Sequence, residues 1–230
     1  MIQDLLKMQV DALAVSPIDS YDNQDYYAQA LEMGIPVYAY DTPIADVEVP
    51  YIGIDNETVG YELARVLADK MEHRGNIAII AGSREQTSHE KRIAGFEKYM
   101  EQEPDIHIEV EKSGYSNLRV SEQEMEEIQA NYPNLDGIMT TSAVTALGLA
   151  EATRGSGIAI ATLDDQEDAI RAVEEGHITV LGAQSGYEIG YETVKYIVND
   201  KKGIKQDREK ILDTQILTRE NVEDYQNLKK

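Results

Sequence analysis

Short apolar runs and amphipathic helical stretches alternate along this chain almost from end to end, and that alternation leaves it few folds. A strand followed by a helix before the next strand gives an α/β architecture, with mostly parallel sheets and right-handed crossovers. The runs are DALAVS (11–16), VYAY (37–40), YIGID (51–55), NIAIIAG (76–82), IHIEVEK (106–112), LDGIMTT (135–141), GIAIATLD (157–164) and ITVLGAQ (178–184). A last extended piece is expected over KILDTQILT (210–218). Between them, apolar residues recur at helical spacing, as at Val59, Leu63, Val66, Leu67 and Met71. Asp22 is expected to cap the helix through Tyr26, Ala30 and Leu31, and Asn56 the longer one after it. Gly34 ends the first of these and Pro36 bars its continuation. One internal echo pairs VGYELARVL (59–67) with IGYETVKYI (189–197), two equivalent entries into a helix after a strand.

The two clearest strands, in VYAYDTP and IAIATLDDQ, end on Asp41 and Asp164. In an open parallel sheet the carboxyl ends of the strands line the ligand crevice. A carboxylate there can accept from two neighbouring hydroxyls at once, so this pair points to binding of a small polar molecule. Each also has a plainer reading, as a turn residue for Asp41 and a helix cap for Asp164.

A chain of 230 residues buries about three quarters of its unfolded surface, enough for one large core or two modest ones. The formal net charge of -22 repels phosphate backbones and anionic lipid, so nucleic acid and membrane surfaces are poor partners. Cysteine is absent, which excludes disulfides, thiolate chemistry and cysteine-zinc sites and leaves the compartment open. No apolar run approaches the roughly 20 residues of a membrane span. The opening MIQDLLKMQVDALAVSP has no signal pattern and reads as a helix from the middle of a domain.

Catalytic patterns are missing. His73, His89, His107 and His177 are scattered and expected at the surface or in turns. GAQSG (182–186) lacks the order of a nucleophile elbow, and neither phosphate-cradling glycine pattern occurs. DSYDNQD (19–25) lacks the alternate ligand positions and the Gly of a calcium loop. No catalytic residue, metal or cofactor is therefore expected. With no Trp and one Phe, ring stacking on a sugar has little to draw on; Phe96 has core spacing and Tyr115 a surface loop position.

Three segments carry a family likeness: GIPVYAYDTP with YIGIDN beyond it, IAIATLDDQEDAIRAVEEGHITVLGAQSGYEIG, and ILDTQILTRENV. They resemble the type I periplasmic sugar-binding proteins, the ribose-binding-like family whose fold is shared with lactose-repressor effector domains. The likeness implies two similar α/β lobes joined by three crossovers near Asp55, Gln184 and Asp213, closing on a ligand by hinge motion. The first lobe would hold 1–55 and 185–212, the second 56–184 and 213–230. It further implies one more strand–helix–strand before the helix that opens this chain, so the first lobe is expected to be incomplete.

By the same resemblance Asp41 and Asp164 accept from sugar hydroxyls, and Gln184 reaches into the cleft or serves only the hinge. Ser16 stands where an Asn or Ser contacts ligand, or is simply a turn residue. Arg92, in HEKRIAGF, faces ligand or a neighbouring carboxylate. Ser142, in TTSAVTALG, replaces the family's ligand-contacting Asn. Thr42 and Glu90 occupy positions where relatives carry arginine. The implied function is reversible sugar binding read by an ABC importer permease or a sensor kinase, outside the cytoplasm and without enzyme activity. The implied alternative is the cytoplasmic effector domain of a lactose-repressor-type regulator.

Overall fold

A computed structural model of the chain describes residues 1–228. It begins with α1 (Ile2–Lys7), β1 (Leu13–Val15), α2 (Gln24–Glu32), β2 (Val37–Tyr40) and β3 (Tyr51–Gly53). Then come α3 (Asn56–Lys70), β4 (Gly75–Ala81), α4 (Thr87–Met100), β5 (Ile106–Ser113), α5 (Leu118–Asn131) and β6 (Gly137–Thr140). The chain continues through α6 (Ala143–Ala152), β7 (Ala159–Leu163), α7 (Glu167–Glu175), β8 (Val180–Ala183) and α8 (Gly186–Lys201). It closes with β9 (Glu209–Ile211), β10 (Gln215–Leu217) and α9 (Val222–Leu228). The expected alternation is present except that β3 follows β2, and β10 follows β9, with no helix between them; the α/β class with mostly parallel sheets holds.

Two compact units result. Unit 1 comprises 1–55, 85–88 and 185–213; unit 2 comprises 56–84, 89–184 and 214–230. The sequence offered no reason to group 85–88 with the first unit. Hydrogen bonding supplies it: the Ser20 N–H donates to the Glu85 carbonyl at 2.8 Å, and the Gln86 amide donates to the Pro17 carbonyl at 3.2 Å.

Unit 1 carries a four-stranded sheet in the order β1-β2-β3-β9, with every pair parallel. One face packs Leu13, Val37, Ala39 and Tyr51 against Leu6 of α1 and Tyr27 and Ala30 of α2. The other face packs Tyr38 and Ile52 against Tyr196 of α8. The alternation of Val37 and Ala39 with Tyr38 follows from the period-two geometry of a strand. Tyr38 is fully buried, donates to the Asp200 carboxylate at 2.5 Å and meets Tyr196 edge-on at 5.9 Å between centroids.

Unit 2 carries a six-stranded sheet in the order β10-β8-β7-β6-β4-β5. All of its pairs are parallel except β10 with β8. One core gathers Ala78, Ile80, Ile138, Ile160 and Leu181 with residues of α5, α6, α7 and α9. Ile77, Ile79 and Ala81, on the opposite face of β4, are equally buried, so helices cover both faces of this sheet, as a parallel sheet requires.

Two local expectations are corrected. The N-cap of α2 is Asn23, in the left-handed region and without a side-chain cap bond, while Asp22 accepts from the Asn23 N–H at 2.7 Å. The aspartate stabilises the turn before the helix instead of the helix end. The extended piece at 210–218 is two strands in different sheets, β9 and β10. Its apolar pattern cannot report that Leu212–Thr214 passes from one unit to the other.

Candidate functional site

In unit 1 the ends of β1 and β2 bring Ser16 and Asp41 together. Asp41 has φ 59°, a left-handed conformation that Asp tolerates better than most residues. Its backbone is held on both sides: its N–H donates to the Ile52 carbonyl at 2.9 Å, and the Tyr51 hydroxyl lies 2.9 Å from its carbonyl. The Asp41 carboxylate accepts long bonds from the Ser16 hydroxyl at 3.4 Å and the Thr42 hydroxyl at 3.5 Å. Thr42 is buried and shares a 3.2 Å bond with the Ser88 hydroxyl. Where the family resemblance led one to look for an arginine there is thus a short, engaged hydroxyl.

In unit 2 the corresponding strand end is that of β7. Asp164 has φ 87°, its N–H donates to the Gly182 carbonyl at 3.0 Å, and its carboxylate accepts from the Gln184 amide at 2.7 Å. Gln184 is itself buried, just after β8. Asp164 is not the cap of α7, whose N-cap is Gln166.

Arg92 is 2% exposed. Its Nε donates to Asn56 Oδ1 at 2.8 Å and its Nη1 to the Thr141 carbonyl at 2.7 Å. Both acceptors are neutral, so these bonds are not a salt bridge; the guanidinium ties the start of α3 to the end of β6. Ser142 is the N-cap of α6, accepting from the Thr145 N–H at 3.4 Å, and is nearly buried. The structure thus joins Ser16 to Asp41 and Gln184 to Asp164, and gives Arg92 and Ser142 architectural partners.

The sequence reading missed a residue here. His89 was expected at the surface or in a turn; it is buried. Its Nδ1 lies 2.6 Å from the Thr141 hydroxyl, which already accepts from the Gly82 N–H at 2.7 Å. The hydroxyl keeps its own proton and a second lone pair, so it pairs with Nδ1 in either neutral tautomer of the imidazole. Burial, seconded by the nearby Arg92 charge, pushes the His89 pKa down to about 3. The signal was present: His89, Ile93, Phe96 and Met100 fall at i, i+4, i+7 and i+11, one buried stripe of α4.

Among the described residues no cluster of His, Asp or Glu is placed to hold a metal ion, and no helix is long and apolar enough to cross a membrane.

This geometry can be set beside known proteins. The ribose import binding protein of Bacillus subtilis is 24% identical over 192 residues, covering 82% of this chain. The chain spans 62% of that relative's length. A solute-binding protein of an ABC transporter from Actinobacillus succinogenes, solved with bound D-allose, superposes with a TM-score of 0.91 at 22% identity. That match covers 97% of this chain and 84% of the other. The fructose-binding periplasmic domain of a hybrid two-component system superposes with a TM-score of 0.93 at 20% identity, covering 99% of this chain and 78% of the other. The family model described as the periplasmic binding protein domain matches residues 1–204. The chain belongs to that family, whose members are binding proteins and not enzymes.

Proposed function

We propose that this protein reversibly binds a small polyhydroxylated, sugar-like molecule, with Asp41 and Ser16 of unit 1 and Asp164 and Gln184 of unit 2 as its polar contacts. One observation carries the reading. Asp41 and Asp164 end strands that occupy the same place in their sheets, third from the β9 end in one and third from the β10 end in the other. Both hold a left-handed backbone, which costs energy for a residue with a side chain and concentrates at functional sites. Arg92 ties the start of α3 to the end of β6, and Ser142 starts α6.

The sugar class is supported by the relatives for ribose import and with D-allose. The partner this favours is an ABC importer permease, met by this protein outside the cytoplasm. A sensor kinase is the second reading, supported by the fructose-binding domain of the two-component system.

The test is a thermal-shift and calorimetric screen against pentoses, hexoses and polyols. A binder raises the melting temperature, by about 2.7 kcal/mol equivalent at a hundredfold excess over Kd. Asp41→Ala and Asp164→Ala should each weaken the hit at least tenfold while the fold is retained. Retention of full affinity by both variants sinks the assignment.

A further inference from the structure

Residues 85–88 end the loop after β4 and begin α4, yet they group with unit 1. Two chains of hydroxyl groups bind them there. The first involves Ser20, which is fully buried. Its Oγ accepts from the Thr87 N–H at 3.0 Å and lies 3.1 Å from the Thr87 hydroxyl. That hydroxyl donates to the Pro43 carbonyl at 3.3 Å. A carbonyl only accepts, so the protons run from Ser20 to Thr87 and from Thr87 to Pro43. The N–H that Ser20 receives belongs to the first residue of α4, one of the four at a helix start with no partner inside the helix. A side chain 67 positions away thus caps α4.

The second chain starts at Ser88. Its hydroxyl lies 3.2 Å from that of Thr42, and Thr42 donates to the Asp41 carboxylate at 3.5 Å. The carboxylate accepts, so Ser88 supplies the proton that Thr42 receives. Both hydroxyl residues are buried. The partners of 85–88 lie on the two loops that carry the unit 1 contacts. Pro17 and Ser20 follow Ser16 after β1, and Thr42 and Pro43 follow Asp41 after β2. Glu85 and Gln86 add their bonds to Ser20 and Pro17 on the first loop. The loops also meet directly, the Ala45 N–H donating to the Ser20 carbonyl at 2.9 Å. The long bonds to the Asp41 carboxylate come one from each loop, from Ser16 and from Thr42.

We propose that Thr87 and Ser88 are positioning residues of the sugar site, fixing through Ser20, Pro43 and Thr42 the two loops that bear Ser16 and Asp41. This role rests on the sugar-binding reading above. A carboxylate that serves two neighbouring hydroxyls must be held within about 0.5 Å of its working place. An acceptor already in place costs less to order when the sugar binds. Thr87 and Ser88 touch no sugar; they keep Asp41 and Ser16 in register before it arrives.

The test is calorimetric titration of the chain with D-ribose, D-allose and the other pentoses and hexoses of the screen, alongside thermal melts. Thr87→Val keeps the side-chain shape and removes one hydroxyl; Ser88→Ala removes the other. Each should raise Kd about tenfold and melt within about 3 °C of the native chain. Thr87→Ser keeps the hydroxyl and should restore most of the affinity. Thr42→Val should weaken binding as Ser88→Ala does, and the double variant should lose no more than the worse single, because both break one chain. Should Ser88→Ala fail to fold, Thr87→Val against Thr87→Ser carries the decision. The positioning role fails if Asp41→Ala abolishes binding while Thr87→Val and Ser88→Ala keep the native Kd, or if Thr87→Ser binds as weakly as Thr87→Val. A native chain that binds none of these sugars sinks the sugar reading itself, and this role with it.

Discussion

Strands β6 and β1 hold the same place in their sheets and could hardly differ more in surroundings. β6 is paired on both sides, fully buried and braced at its end by Arg92 and His89. β1 has a neighbour on one side among the described residues and shows Ala14 to solvent. The two units share a plan and a helix-entry motif. What separates them is how many layers cover each element, and the same residue type therefore carries different energetic weight in each.

The largest effect should come from the strands themselves. Ile138 of β6 is wholly buried, and Ile138→Ala should cost roughly 3–4 kcal/mol in urea unfolding. Ala14→Lys, on the exposed face of β1, should stay within about 0.5 kcal/mol. Equal costs would end the comparison. Next comes the crossing of α3 and α4, where a Cβ on Gly60 would overlap the Arg92 carbonyl: Gly60→Ala must push the Arg92 backbone aside and should cost up to about 3 kcal/mol.

The pH dependence of unit 2 should then report His89. Its pKa falls from 6.5 to about 3 on folding, so the unfolded chain binds the proton more tightly. The stability linked to it is complete above pH 6.5 and is lost progressively as the pH falls toward 3, at roughly 1.4 kcal/mol per pH unit. Unfolding curves at pH 7 and pH 5 for the native protein and His89→Asn should show a shallower loss in the variant; identical slopes would place the titrating group elsewhere. A smaller change than at Ile138 or Gly60 belongs to the Tyr38 hydroxyl of unit 1. Tyr38→Phe removes the hydroxyl that bonds Asp200 and should cost about 1–2 kcal/mol, with no change if Asp200 recovers water.

Much of the fold was legible because periodicity reports which face of an element is buried. Val59, Leu63 and Leu67 were marked as the inward side of a helix, and they are. The candidate site was legible in part: Asp41 and Asp164 could be placed at strand ends because polar residues after an apolar run mark where a strand stops. His89 was misjudged because a histidine in a polar stretch looks solvated until its stripe with Ile93 and Phe96 is traced. Arg92 could not be assigned at all, since its partners Asn56 and Thr141 lie 36 and 49 positions away.

By itself the sequence determined the α/β alternation, the acidic net charge that disfavours polyanionic partners, and the carboxylates that end β2 and β7. These depend on local pattern and on charge, which are properties of the chain in any conformation. Only the tertiary structure decided that 85–88 packs with unit 1 and that β9 and β10 separate into different sheets. It alone decided that Gly60 is gripped by the Arg92 backbone while Gly190, its echo in α8, stands open. Those outcomes depend on which distant segments come to lie against one another, and no local periodicity encodes that.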